Sequence, residues 1–207
     1  SYTGTTTIDG GSLTYTSDQP LLGGLTFGLA NASTNISALN VASATFTAGL
    51  VRTNTPTANI ITVGFGKTLN FTGGLTVGFD AGAGGTTNSR LTVNGPGALS
   101  ITGTTITLGL TVAGSNVNWT SNGFLSVATV SSFTVDVINF NLGVGASATS
   151  SGRGILTLSN TANDITATTL TVGNTGPNNG GGASTLTLGT GTNLLKVTTL
   201  NIGLGKG

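Results

Sequence analysis

Aspartate is the only acidic residue type in the chain, at Asp9, Asp18, Asp80, Asp136 and Asp164, set against Arg52, Lys67, Arg90, Arg153, Lys196 and Lys206. Glutamate, histidine, cysteine and methionine are absent. Thiolate nucleophiles, imidazole bases, His/Cys zinc sites and glutamate acid/base pairs are therefore excluded. The chemistry left is aspartate acting with hydroxyls, as a calcium site or as carboxylates around a glycosidic oxygen. Either needs several carboxylates to converge. Asp80, Asp136 and Asp164 are the candidates, but wrapped on the coil period derived below they fall at different phases. Asp9, before Gly10-Gly11, reads as turn usage. No catalytic, metal-binding or cofactor-binding residue is assigned, and no cofactor is expected.

Two other chemistries are weaker. The glycine runs at Gly82–Thr87 and Gly180–Gly182 lack the lysine and following helix of a phosphate-cradling loop, so they read as turns. Trp119, between Asn118 and Thr120, is the aromatic best placed by sequence to stack on a sugar. Most phenylalanines fall at or beside apolar phases, where they belong to an interior. Trp119, Asp80 and Asp136 are thus the candidate ligand or interface contacts.

Gly (35), Thr (42), Ser (18) and Asn (20) fill 115 of 207 positions, and the net charge is +1. Six dispersed bases do not make a nucleic-acid footprint. No apolar run approaches the roughly 18 residues of a membrane span, so no membrane insertion of this segment is expected. With 37% hydrophobic residues in short β-branched and leucine-rich groups, the chain can build a core.

What must position these residues is a repeat. A unit of aliphatic, Thr or Asn, aliphatic or aromatic, then usually Gly recurs, as in Leu25-Thr26-Phe27-Gly28, Ile61-Thr62-Val63-Gly64, Leu75-Thr76-Val77-Gly78, Ile106-Thr107-Leu108-Gly109 and Leu170-Thr171-Val172-Gly173. Units begin at Ile61, Leu75, Leu91 and Ile106, and again at Leu156, Leu170, Leu186 and Leu200, so the step between neighbours is nearly constant and alternate units lie one long period apart. Leu110, Leu125 and Phe140 carry the same spacing across the middle of the chain. Each unit is a short strand with two apolar side chains on one face and a hydroxyl or amide on the other, closed by a glycine turn. One pair of such strands cannot bury its apolar face, whereas stacked coils can.

The expected fold is all-β, a single-stranded parallel β-helix (β-solenoid) of about seven coils of about 30 residues, continuous over residues 1–207 as one domain. A β-sandwich competes, but its strands recur at shorter intervals than these units do. Residues 79–89, 143–154 and 173–185 read as loops along one side of the rod. The alternation in Phe133–Leu142 changes phase at Ile138, which predicts a bulge or bend with Asp136 pointing outward.

The opening Ser1-Tyr2-Thr3-Gly4-Thr5-Thr6-Thr7-Ile8-Asp9-Gly10-Gly11-Ser12-Leu13 resembles the autotransporter-associated β-strand repeat. Looser copies are Asn70-Phe71-Thr72-Gly73-Gly74-Leu75-Thr76-Val77, Ile101-Thr102-Gly103-Thr104-Thr105-Ile106-Thr107-Leu108 and, with Ala167 in the glycine position, Asp164–Val172. The resemblance implies a right-handed parallel β-helix in a passenger-type region of a secreted bacterial surface protein, and it supplies no catalytic residue. The expected function is a non-catalytic extracellular structural or adhesive rod, self-assembling through its ends or faces. The alternative is a carbohydrate-binding or polysaccharide-depolymerising β-helix. Expected partners are copies of the chain, flanking solenoid repeats, and host or matrix glycans.

Overall fold

The computed structural model describes residues 3–21, 23–28, 36–42, 45–53, 58–80, 86–111, 119–145, 150–173 and 183–203; within these, the side chains of residues 19–21, 79, 80 and 119 are not described. Every regular element among them is a strand. After β1 (Thr6–Ile8) come three coils of three strands each: β2 (Gly11–Tyr15), β3 (Gln19–Leu21) and β4 (Leu25–Phe27); β5 (Ser37–Val41), β6 (Thr45–Ala48) and β7 (Val51–Thr53); β8 (Ala58–Val63), β9 (Thr68–Phe71) and β10 (Leu75–Asp80). Four more have two strands each: β11 (Thr86–Asn94) and β12 (Ala98–Thr111); β13 (Trp119–Ser126) and β14 (Ser132–Val144); β15 (Ser150–Thr157) and β16 (Ala162–Val172); β17 (Thr185–Thr187) and β18 (Thr192–Ile202).

All pairings among these strands are parallel. That is the expected β-solenoid and excludes the antiparallel sandwich. The first strand of each coil joins a seven-stranded sheet ordered β2-β5-β8-β11-β13-β15-β17, and the others form an eleven-stranded sheet. Five strands of the smaller sheet have a neighbour on both sides, which makes roughly five full turns.

Alternation decides which side chains fill the interior. Leu25, Val51, Leu75, Ile106, Phe140 and Leu170 stack as one column, each almost completely buried. Phe46, Leu69, Leu99 and Phe133 form another. Full burial of each such side chain contributes about 1.5–3 kcal/mol. The second column ends in Asn163 and Asn193, whose side chains close equivalent turns. Asn163 accepts from the Ser159 amide (2.9 Å) and donates to the Ser159 carbonyl (2.7 Å), while its Nδ2 also donates to Asn193 Oδ1 (3.0 Å). Asn193 repeats the pattern on Gly189.

The period is less uniform than the sequence spacing implies. One coil carries Leu39 only as far as its partner Ile61, whereas a later and much longer coil separates Leu91 from its partner Leu125. Ile61 stacks on Val93 and not on Leu91. Phe140 stacks on Ile106, while Leu110 pairs with Val144, so the Leu110–Phe140 spacing is not a stacking relation. The strands, and turns within a coil such as Asn160 on Ala128, are held coil to coil. The connection from the second face back to the first is free to vary, from the short link between Thr53 and Ala58 to the long one between Val172 and Thr185.

The three expected loops are also shorter than anticipated. Residues 86–89 and 150–154 are paired strand, as are 79–80 and 143–144; residues 81–85, 146–149 and 174–182 lie outside the described stretches. Glycine and serine there permit the strand starts of one sheet to lie against the strand ends of the other. Gly78, with φ of 78°, is one such contact: a Cβ there would sit 2.7 Å from the Asn122 carbonyl oxygen and 3.0 Å from Gly123 Cα. Ser121 Oγ donates to the Gly78 carbonyl at 2.8 Å in the same place. Gly66 has a similar φ of 67° but open space around it. Gly66→Ala therefore carries only the left-handed backbone cost of about 1 kcal/mol, and Gly78→Ala adds a backbone collision. Thermal unfolding should place Gly78→Ala at least about 4 °C below Gly66→Ala, given about 2–4 °C per kcal/mol for a chain of this size. Equal melting temperatures would show that the two sheets do not approach there.

Candidate functional site

A broad, shallow polar trough lies on the outside of the larger sheet, where its strands bend. In the first and third coils the bend falls at Gly23-Gly24 and Gly73-Gly74, between separate strands, with φ of 93° at Gly24 and 91° at Gly74. Gly74 N donates to the Thr102 carbonyl at 3.0 Å, which seats Gly103 over Gly73. From there the column runs Gly103, Val137, Ala167, Val197. Gly103 keeps the glycine in β12, and Val137, Ala167 and Val197 replace it in β14, β16 and β18. The strand now passes through the bend unbroken, so β12, β14, β16 and β18 each cover both halves of the sheet.

The phase change expected at Ile138 is this bend. Phe133, Val135 and Val137 are buried, Asp136 and Ile138 are exposed, and burial resumes at Phe140. The result is a trough of about 710 Å³ running across the four strands, parallel to the solenoid axis. Thr102, Asp136, Thr166 and Lys196 form one wall in register; Ile138, Thr168 and Thr198 form the other. Ile138, 52% exposed, is its apolar feature.

The charges are arranged diagonally. Asp136 is paired to Thr166 and Asp164 to Thr134, so the two aspartates sit on one face of adjacent strands, offset by two positions. They fall at different phases, as expected, but their separation in sequence is one coil less two, the diagonal of a parallel pair. Lys196 lies on the next diagonal, one coil plus two beyond Asp164. Its Nζ is 2.9 Å from both carboxylate oxygens and donates to Oδ2. Asp164 is thereby neutralised and Asp136 is left as the net charge of the trough. Among the described residues no three Asp, Glu, His or Cys side chains gather as metal ligands.

The other candidates separate. Asp80 belongs to the far end of β10, paired through its backbone with Thr111, and Trp119 begins β13 opposite Ser150. Both side chains lie outside the described ones. Phe27, Phe71, Phe133 and Phe140 are interior as expected, but Phe65 is 85% exposed. Phe124 faces outward on the smaller sheet under the Arg90 guanidinium, 4.4 Å from its ring centroid. That contact covers an apolar spot with a charged side chain's stem and head. Ile138 and the Asp164–Lys196 pair went unassigned in the sequence; separations of one coil plus or minus two were the signal for the pair.

No protein-family model matches the chain, and no curated protein or solved structure matches it. No described helix is long and apolar enough to cross a membrane.

Because Lys196 and Asp164 remain 51% and 45% exposed, their coupling is that of a surface pair. A double-mutant cycle with Lys196→Ala and Asp164→Ala should return less than about 1 kcal/mol, shrinking further in salt. A larger coupling would mean that the pair is shielded from water.

Proposed function

We propose that this chain is a structural module, a neutral rod of stacked coils that spaces or displays material at a bacterial cell surface, with no catalytic step of its own. The observation that carries this reading is the uninterrupted parallel stacking of both sheets, which puts nearly all binding capacity of the backbone into coil-to-coil contact. The autotransporter-like repeat supports it as well, because its glycine position in three copies, Gly73, Gly103 and Ala167, falls in one structural column. Localisation outside the cell rests on that resemblance.

The last described coil supports the reading of a rod that extends. Leu188, Leu194, Leu200 and Ile202 are 44–72% exposed, and an apolar hollow of about 330 Å³ opens among Leu170, Val172, Leu186, Leu195 and Val197. β17 and β18 also have one hydrogen-bonding edge free among the described strands. This surface has the chemistry of a coil face and receives a further coil, from the same polypeptide or from another.

Sedimentation velocity of the 207-residue chain tests the stacking. Its apparent mass should rise with concentration, and Leu200→Asp with Ile202→Asp should return it to a monomer. A wild-type chain that stays monomeric at all concentrations would count against a stacking module. Protease shaving of intact producing cells tests the location: release of the chain supports display, and protection until lysis refutes it.

A further inference from the structure

The trough has a property that stacking does not use. It runs along the solenoid axis, across the face of the larger sheet and not along a sheet edge, and the register passes over Ile138, Thr168 and Thr198 beside the paired Val137, Ala167 and Val197. A ligand lying in it meets the side chains that line it. Those are hydroxyls (Thr102, Thr166, Thr168, Thr198), one carboxylate with no cationic partner among the described residues (Asp136), the Lys196 ammonium held by Asp164, and the exposed aliphatic surface of Ile138.

We infer that this trough is a binding groove for a linear, uncharged polysaccharide, laid along the rod axis. A peptide added as a strand needs a sheet edge, and this trough crosses the face of β12, β14, β16 and β18. Polyanions are disfavoured because Lys196 is already spent on Asp164 and Asp136 adds a negative charge. A neutral sugar polymer answers each feature. Its hydroxyls donate to the Asp136 carboxylate and exchange hydrogen bonds with the threonines. Its C–H faces cover Ile138 and Val197. Its regular repeat suits a trough with one wall position in each of four successive strands and an opposite wall in three of them, a span of about 14 Å at about 4.8 Å per strand. Concave sites with a few convergent polar groups on an apolar floor are the usual form of small-ligand sites; the floor here is the Val137–Ala167–Val197 column.

The assignment goes beyond the rod proposal and does not depend on its stacking, since all four strands belong to one chain. A monomeric chain with an occupied groove would separate the two.

The test is biolayer interferometry with immobilised oligosaccharides of graded length from xylan, mannan, mixed-linkage β-glucan and dextran, with polygalacturonate and duplex DNA as polyanions. At least one neutral series should bind, with affinity rising with chain length and levelling once the chain outspans the four strands. Binding should be insensitive to salt. Asp136→Ala should weaken it by about tenfold, the loss of one charge-assisted hydrogen bond. Thr168→Arg, which fills the trough from an exposed position, should abolish it. Thr62→Arg, exposed on the smaller sheet, should leave it unchanged, and far-ultraviolet circular dichroism should match for all variants. Absence of binding to all four neutral series overturns the inference. So does binding that survives both trough variants, or binding confined to the polyanions and removed by salt.

Discussion

In a parallel solenoid each side chain has the same register position of the next coil about 4.8 Å above and below it, and the rest of this structure follows from that constraint. A residue type is tolerated when it can stand beside its own kind. Aliphatics can, and they become the buried columns. Threonine, serine and asparagine can, because each both donates and accepts: Asn122 donates to Asn88 at 2.9 Å and Asn163 to Asn193 at 3.0 Å, each across one strand pairing. Like charges cannot. Nowhere in the described register is a charged residue paired directly with another: Arg52 stands between Thr26 and Thr76, Arg90 between Ala58 and Phe124, Asp136 between Thr102 and Thr166. Among the described residues opposite charges meet on the diagonal, as Asp164 and Lys196 do.

The same constraint explains what could be read from the sequence. Strand identity and the inside/outside assignment were legible because pairing imposes a strict alternation, and the later coils, with Leu156 on Leu186 and Leu170 on Leu200, keep the regular period. Coil length was legible only where the connections happen to be equal. Nothing pairs the return connection to a fixed length, so the short early coils and the longer step from Ile106 to Phe140 were hidden by coincidental spacings such as Leu110 to Phe140. The strand starts at Thr86–Ser89 and Ser150–Gly154 looked like loops because they are built of small residues. Their smallness serves close contact between sheets instead of a turn.

The site divides in the same way. A break of alternation is a local signal, and Ile138 announced both the bend and the outward course of Asp136. Proximity between coils is non-local and depends on register. Testing Asp136 and Asp164 for a shared column missed that neighbouring strands also meet two positions out of column.

The bend itself exposes a trade within the fold. A Gly-Gly corner, as at Gly73-Gly74, turns the chain sharply through a left-handed conformation and divides the sheet into two short strands. In β14 and β16 Val137-Ile138 and Ala167-Thr168 stand at the bend, where a Cβ disfavours positive φ, while the equally unbroken β12 keeps Gly103 at φ 133°. In these four strands one residue, such as Ile138 or Thr168, is passed over by the register at the bend, pairing resumes directly after it, and the outer face carries the trough. An exposed isoleucine and an aspartate without a cationic partner among the described residues stand at its rim. A coil needed only for stacking has no use for that exposure, since a third threonine column would have served; the departure from glycine at this one column is what converts a featureless rod face into a surface with a shape and a charge.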